Sequence, residues 1–238
     1  MSAVSSFAYV GSELELFARA TNWKNYFAAR VRPHLGAEVL EVGAGFGGTT
    51  KILCTGSHQR WVCLEPDPQL TGTLQTAVAN GELPACCQGK VGTLADLDAT
   101  DCYDAILYMD VLEHIEDDRA EMERAAAHVK PGGKVIVLAP AHQWLFSPFD
   151  QSIGHFRRYT KQRMRDVTPA ALRLVDLRYF DSIGLLASAG NRFILGSGMP
   201  NQRQIWIWDK LMVPLSRLVD PLLFGALGKS LLGVWRLG

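Results

Sequence analysis

The stretch Val39-Leu40-Glu41-Val42-Gly43-Ala44-Gly45-Phe46-Gly47-Gly48-Thr49-Thr50 carries the sharpest chemical signal in the chain. An apolar run enters a glycine turn that opens a helix. Glycine lets the backbone turn tightly and approach a ligand closely, and the helix start offers free N–H donors. Gly43, Gly45 and Gly48 satisfy the G-x-G-x-x-G spacing of a dinucleotide site, and Glu65 stands about 20 residues on, where an acid takes ribose hydroxyls. Glu41 separates the ligands that such a loop suits. A nicotinamide dinucleotide would press its anionic diphosphate toward that carboxylate, a repulsion that burial strengthens. S-adenosylmethionine brings a sulfonium and an ammonium group instead, which a carboxylate attracts directly or through water. The loop therefore points to S-adenosylmethionine as the cofactor. A second set of reactive side chains follows at Pro140-Ala141-His142-Gln143-Trp144 and at Asp150 through Gly154-His155-Phe156-Arg157-Arg158-Tyr159. There His155, Tyr159 and His142 are the candidates for moving a proton, with Arg158 as a carboxylate binder.

These side chains need strands and helices to hold them. Short runs rich in Val, Ile and Leu occur at Glu38 to Val42, Trp61 to Leu64, Ala105 to Tyr108 and Val135 to Leu138, each beside a helical segment. Parallel strands with crossover helices read this way. One helix is expected over Asp117 to Val129, acidic at its start and stopped by Lys130-Pro131-Gly132-Gly133. Another is expected near Lys161 to Val167, followed by a strand near Leu174 to Phe180. From Asp181 onward charge thins out. Trp206, Trp208, Leu211, Leu215 and Leu218 are spaced as one face of a helix, expected to cover the sheet. The expected order is an N-terminal helical cover over 1–35, a cofactor-binding core over 36–181, a helical insertion over 182–226 and a final strand over 227–238. Together they make one domain.

The 238 residues carry 24 Lys plus Arg against 24 Asp plus Glu, and 48% are apolar, enough for one sizeable core. Zero net charge argues against nucleic acid as a partner, because displacing counterions from phosphates needs a basic surface. The five cysteines include no C-x-x-C pair, so no metal site is expected, and Cys86-Cys87 reads as small core residues in a reducing, cytoplasmic setting. Met1 to Val10 lacks the pattern of a secretory signal, and Leu211 to Leu227 is broken by Pro214, Arg217, Asp220 and Pro221, so no integral membrane span is expected.

Four segments in order resemble the class I S-adenosylmethionine-dependent methyltransferases. Glu41 to Gly47 is similar to their first motif, and Leu64-Glu65-Pro66-Asp67 to the acid closing the second strand. Tyr103 to Ile115 is similar to the strand-four segment, and Lys130-Pro131-Gly132-Gly133 to the turn before strand five. The likeness runs over about 23 to 180. It implies an α/β, Rossmann-like, seven-stranded and mostly parallel sheet, its last strand antiparallel, with helices on both faces and a C-terminal helical insertion. It implies backbone contacts to the cofactor from Gly43, Ala44 and Gly45, and a ribose held by Glu65 beside Pro66. Thr93 and Leu94 would flank the adenine, Thr93 standing where such enzymes often have Asp. Asp110 would face the sulfonium, and Tyr26 would fold over the carboxylate end of the cofactor. Methyl transfer to a small molecule is the implied reaction, with Phe146, Phe149, Tyr179, Phe180, Trp206 and Trp208 available to line an aromatic pocket. Two other readings share the fold: attack on the methionine chain carbon with release of methylthioadenosine, and a non-catalytic binding module. His114, where the chain enters a helix, reads as structural.

Overall fold

The computed structural model describes residues 17–192 and 200–238. The first sixteen positions of the expected N-terminal cover, Met1 to Val10 among them, and residues 193–199 of the expected insertion lie outside the described residues. The strands are β1 Glu38–Val42, β2 Arg60–Glu65, β3 Cys87–Val91, β4 Tyr103–Met109, β5 Val129–Pro140, β6 Leu172–Phe180 and β7 Ser230–Leu237. They form one seven-stranded sheet in the order β3-β2-β1-β4-β5-β7-β6. The pairs from β3 through β5 are parallel, and β7 runs antiparallel to both β5 and β6. Strand order reverses between β1 and β4, so their C-terminal ends open a crevice.

Alternation along the buried strands sends residues to two cores. Val39, Trp61, Cys63, Leu107 and Leu138 pack on one face with Trp23, Phe27 and Val31 of helix α1 (Thr21–Val31). Leu40, Val62, Leu64, Tyr108 and Val137 pack on the other with Met122 and Ala125. The remaining helices are α2 Thr50–Leu53, α3 Pro68–Ala79, α4 Asp118–Ala127, α5 Pro148–Ser152, α6 Lys161–Asp166, α7 Ser182–Gly190, α8 Gln202–Ile207 and α9 Val213–Val219. Asp67 starts α3 by accepting from the N–H groups of Gln69 at 2.7 Å and Leu70 at 3.3 Å, with Pro68 in the first helical position.

Two local expectations are corrected. Helix α4 stops at Ala127, and Val129 already pairs with Tyr103, so the Lys130 to Gly133 segment lies inside an irregular start of β5 rather than in a free turn. Of the aromatic and leucine stripe of the insertion, Trp208 alone is buried in the core over the sheet. Trp206, Leu211, Leu215 and Leu218 are exposed, while Ile205, Trp208, Val213 and Ser216 face inward. A π-helical segment at Trp208–Met212 shifts the helical phase between α8 and α9.

Paired aspartates seat this insertion on the sheet. Asp181, at φ 63°, accepts from Ser216 Oγ at 2.6 Å, Trp208 Nε1 at 2.6 Å and the Gly184 N–H at 3.0 Å. Asp220 accepts from the Asp181 N–H at 2.7 Å, Tyr26 Oη at 2.8 Å and the Ser182 N–H at 3.1 Å. The end of β6, the insertion and α1 are thereby joined through buried, satisfied carboxylates.

Candidate active site

At the end of β1 the chain turns at Gly43, with φ 64°, and the Gly43 N–H donates to the Leu64 carbonyl at 2.8 Å. A Cβ at Gly43 would lie 2.7 Å from Val111 Cγ2, so only glycine lets the loop close against the segment after β4. Gly45 donates its N–H to Glu65 Oε2 at 2.9 Å, and Glu65 Oε1 accepts the Asp67 N–H at 3.0 Å. Glu65 thus ties the glycine loop to the start of α3. An ionised carboxylate has about four acceptor positions, so it can take further donors.

A cavity of about 710 Å³ opens beside this loop. Gly43, Phe46, Gly48 and Thr49 form one wall, and Asp110, Glu113 and His114 rise from the end of β4. Asp150, His155 and Arg158, from the segment after β5, close the far end. Trp23, Phe27, Leu145, Phe149, Ile205 and Trp208 supply apolar sides. Lys229, just before β7, reaches in with its Nζ 3.7 Å above the Trp208 ring and 3.7 Å from Asp181.

The far end is anchored by backbone. The Phe156 N–H donates to the Glu113 carbonyl at 2.9 Å, and Arg157 donates to the carbonyls of Ile115 and Glu116 at 2.7 Å each. His155 Nδ1 lies 2.9 Å from Asp150 Oδ1. Arg158 grips Asp150 with Nε at 2.8 Å and Nη2 at 2.9 Å, and Ser147 adds its N–H and Oγ. Burial works upward on Asp150, but the bonds from His155, Arg158 and Ser147 outweigh it and hold the carboxyl well below the usual range. An ionised Asp150 only accepts, so a proton stands on His155 Nδ1, which leaves Nε2 as the ring nitrogen on the Glu113 side, 3.8 Å from Oε1.

Charge elsewhere in the cavity is also perturbed. Asp110, at φ 57°, opens onto the cavity but is ringed by protein, and burial raises it to about 6 against the opposing His155 and Lys229 charges. Glu113 is driven well above the ordinary carboxylate range by burial and by Asp110. Lys24, on α1 at the cavity wall beside Gly48, is lowered by burial.

The expected site residues divide. Gly43, Asp110 and His155 line the cavity. Glu65 and Gly45 bond each other outside the lining, and Pro66, Thr93 and Leu94 follow at the ends of β2 and β3, also outside it; Thr93 Oγ1 and N–H both donate to Asp96 at 2.8 Å, and Leu94 is buried in the core. Ala44 is buried, its N–H turned to the Leu64 carbonyl at 3.3 Å. Glu41 lies beneath the loop, where Thr50 Oγ1 donates to it at 2.7 Å and Trp61 Nε1 at 2.9 Å.

Tyr26, Tyr159 and His142 also lie outside the cavity lining. Tyr26 bonds Asp220 and packs edge-on to Phe180 with ring centroids 5.4 Å apart. Tyr159 is buried, donating to Asp118 Oδ2 at 2.9 Å. His142 stacks on Tyr179 at 4.6 Å with Nε2 on the Gly228 carbonyl at 2.9 Å. Of the six aromatics expected in a pocket, Phe149 and Trp208 line the cavity; Phe180 is core and Trp206 is exposed.

Glu113, Asp150 and Lys229 were not singled out by sequence. Glu113 and Asp150 stood inside quoted segments, but only the fold brings them to His155. Among the described residues, two groups offer three possible metal-ligand atoms within 4.8 Å of one another: Glu113, His114 and His155, and Cys54, Cys86 and Cys87. The sulfurs of Cys86 and Cys87 stand 3.5 and 3.6 Å from that of Cys54, and burial contributes to raising all three thiols.

Residues 40–135 match the family model described as a methyltransferase domain. The ubiquinone biosynthesis O-methyltransferase of Xylella fastidiosa (strain 9a5c) is 32% identical over 114 residues, covering 48% of this chain and 45% of that protein. The protein of the same name from Idiomarina loihiensis is 25% identical over 170 residues, covering 67% and 69%. The match spans less than half the length of the first such relatives. A solved structure of a geranyl diphosphate methyltransferase in complex with SAM aligns with a TM-score of 0.65 at 10% identity, over 99% of this chain and 94% of that one. That likeness is one of fold.

Proposed function

On the premise that the chain belongs to the class I S-adenosylmethionine-dependent methyltransferase family, we propose that it methylates a small, apolar or aromatic molecule at a hydroxyl oxygen. When bound, S-adenosylmethionine supplies a methyl group already activated by positive sulfur. The residues fit such a group. Gly43 lets the loop close on Val111 while lining the cavity, and Asp110 offers a carboxylate to a cation. Lys24 would meet a carboxylate, and Glu65, with Pro66, Thr93 and Leu94 following along the chain, would accept from ribose hydroxyls.

The acceptor would lie between the apolar side walls with its hydroxyl against His155. Methyl transfer is an in-line displacement, so the protein contributes mainly alignment and exclusion of water. Trp23, Phe27, Phe149 and Trp208 exclude water, and their rings favour a nearby cation. The hydroxyl proton would leave at the His155 end, which Asp150 and Arg158 hold in place.

The observation that carries this reading is one cavity that joins the glycine loop and Asp110 to the His155 end through apolar walls. The relatives named for O-methylation support a hydroxyl acceptor. The test is to incubate the protein with S-adenosylmethionine alone and with phenol- and catechol-bearing acceptors, then identify the nucleoside released. S-adenosylhomocysteine formed only with an acceptor is expected. Methylthioadenosine would shift the reaction to the methionine chain carbon, and absence of any turnover would leave a binding module.

A further inference from the structure

Glu113 is fully enclosed, and neither of its carboxylate oxygens has a hydrogen-bond partner among the described residues. A buried carboxylate left that way is costly, and native structures supply such groups with a donor or a cation. Glu113 sits on the short 3₁₀ turn Leu112–His114 and lines the cavity beside His114 and His155. One carboxylate oxygen and one nitrogen from each ring all lie within 4.8 Å of one another. Ligands bonded to a common ion at about 2.0–2.2 Å stand up to about twice that distance apart, so small side-chain movements close the set. His155 Nε2 is 3.8 Å from Glu113 Oε1, too long for a hydrogen bond and suited to two ligands of one ion. The two imidazoles meet edge to face with centroids 4.5 Å apart.

The surroundings of His155 match what metal-bound imidazoles use. Its Nδ1 is held 2.9 Å from Asp150, which Arg158 and Ser147 in turn fix. A carboxylate behind the ring sets the tautomer and raises the basicity of the nitrogen facing the ion. Two imidazoles and one carboxylate, with positions left open, suit zinc, manganese, iron(II) or cobalt.

We propose that Glu113, His114 and His155 bind one divalent transition-metal cation whose open positions face the cavity and take the acceptor oxygen. For the acceptor, this rests on the methyl-transfer reading. A cation there lowers the pKa of the hydroxyl it holds, and the proton passes to solvent. The oxygen then forms its bond to the methyl carbon while the carbon–sulfur bond breaks, the electron pair staying on sulfur as a neutral thioether. Asp150 is a positioning residue acting through His155.

The test uses untagged full-length protein stripped with a chelator and titrated calorimetrically with Zn²⁺ alone, and with Co²⁺ followed by visible d–d absorption. One equivalent is expected, with a cobalt spectrum of mixed nitrogen and oxygen ligands. Glu113→Gln and His155→Ala should weaken binding more than tenfold, and Asp150→Asn by about 10–100-fold with the spectrum shifted rather than lost. Circular dichroism and retained S-adenosylmethionine affinity show that each variant is folded; if Glu113→Gln fails to fold, Glu113→Asp, with its shorter reach, should weaken Zn²⁺ binding in its place. Equal Zn²⁺ affinity in wild type and the folded variants, or methyl transfer unchanged by the chelator, overturns the metal site and leaves the methyl-transfer reading standing. Stoichiometric binding without S-adenosylhomocysteine from any acceptor keeps the site and removes the reading.

Discussion

A carboxyl group sealed beneath the glycine loop couples the stability of the protein to pH. Burial pushes Glu41 from 4.5 up to about 7, against the bonds from Thr50 and Trp61 and the charge of Lys24. The folded state therefore holds this proton more tightly than the unfolded chain. Its contribution to stability is present in full below the unfolded value near 4.5 and is lost as pH rises through about 7. A shift of that size is worth about 3 kcal/mol. In Glu41→Gln this part of the pH dependence should vanish, which urea denaturation at acidic and alkaline pH measures; parallel pH profiles for the two proteins would count against it. The position of Glu65 against the glycine turn and that of His155 in the cavity wall were legible in the sequence because they are set locally, by distance along the chain. Glu41, expected to meet a positively charged cofactor, instead lies beneath the loop on Thr50 and Trp61, which spacing alone does not reveal. Tyr159 and His142 stood in equally suggestive company, yet they turn to Asp118 and to Gly228. Residue type and spacing do not say which way a loop side chain points, and they could not bring Glu113 to His155.

Among the elements, the glycine turn and the aspartate seat do the positioning. Gly43→Ala must place a Cβ in the left-handed region, 2.7 Å from Val111. It should lower S-adenosylmethionine affinity at least tenfold, measured by calorimetry, with partial recovery in Gly43→Ala/Val111→Ala because the clash is relieved and the strain is not. Unchanged affinity in the single variant would remove the loop from the site. Asp220→Ala strands the donors of Tyr26, Asp181 and Ser182. At about 1–3 kcal/mol per orphaned group this should cost at least about 3 kcal/mol. The melting temperature should then fall by roughly 6–12 °C at the usual scaling for this size. A change within error would show that water replaces the carboxylate. The strands were readable because buried parallel strands are short apolar runs, whereas the seat was not, since its partners come from three distant parts of the chain.

For the molecule as a whole, the insertion hides less apolar surface than its sequence implies. Leu218 is 73% exposed, Leu222 75% and Phe224 92%. Leu218→Asp and Leu222→Asp should therefore change stability by no more than about 0.5 kcal/mol in thermal unfolding. A larger loss would mean that this face is covered in solution. No described helix is long and apolar enough to cross a membrane. The seven-stranded sheet with an antiparallel last strand was implied by the resemblance of its motifs, while its strand order was not, and the insertion stripe was misread because periodicity cannot register a π-helical slip. The same order has a cost during synthesis. Strand β7 pairs with the outer edge of β5, and about ninety residues separate the end of one from the start of the other. At roughly 5–20 residues per second the ribosome leaves the outer edge of β5 bare for several seconds, an interval in which another nascent chain or a holding chaperone competes for it.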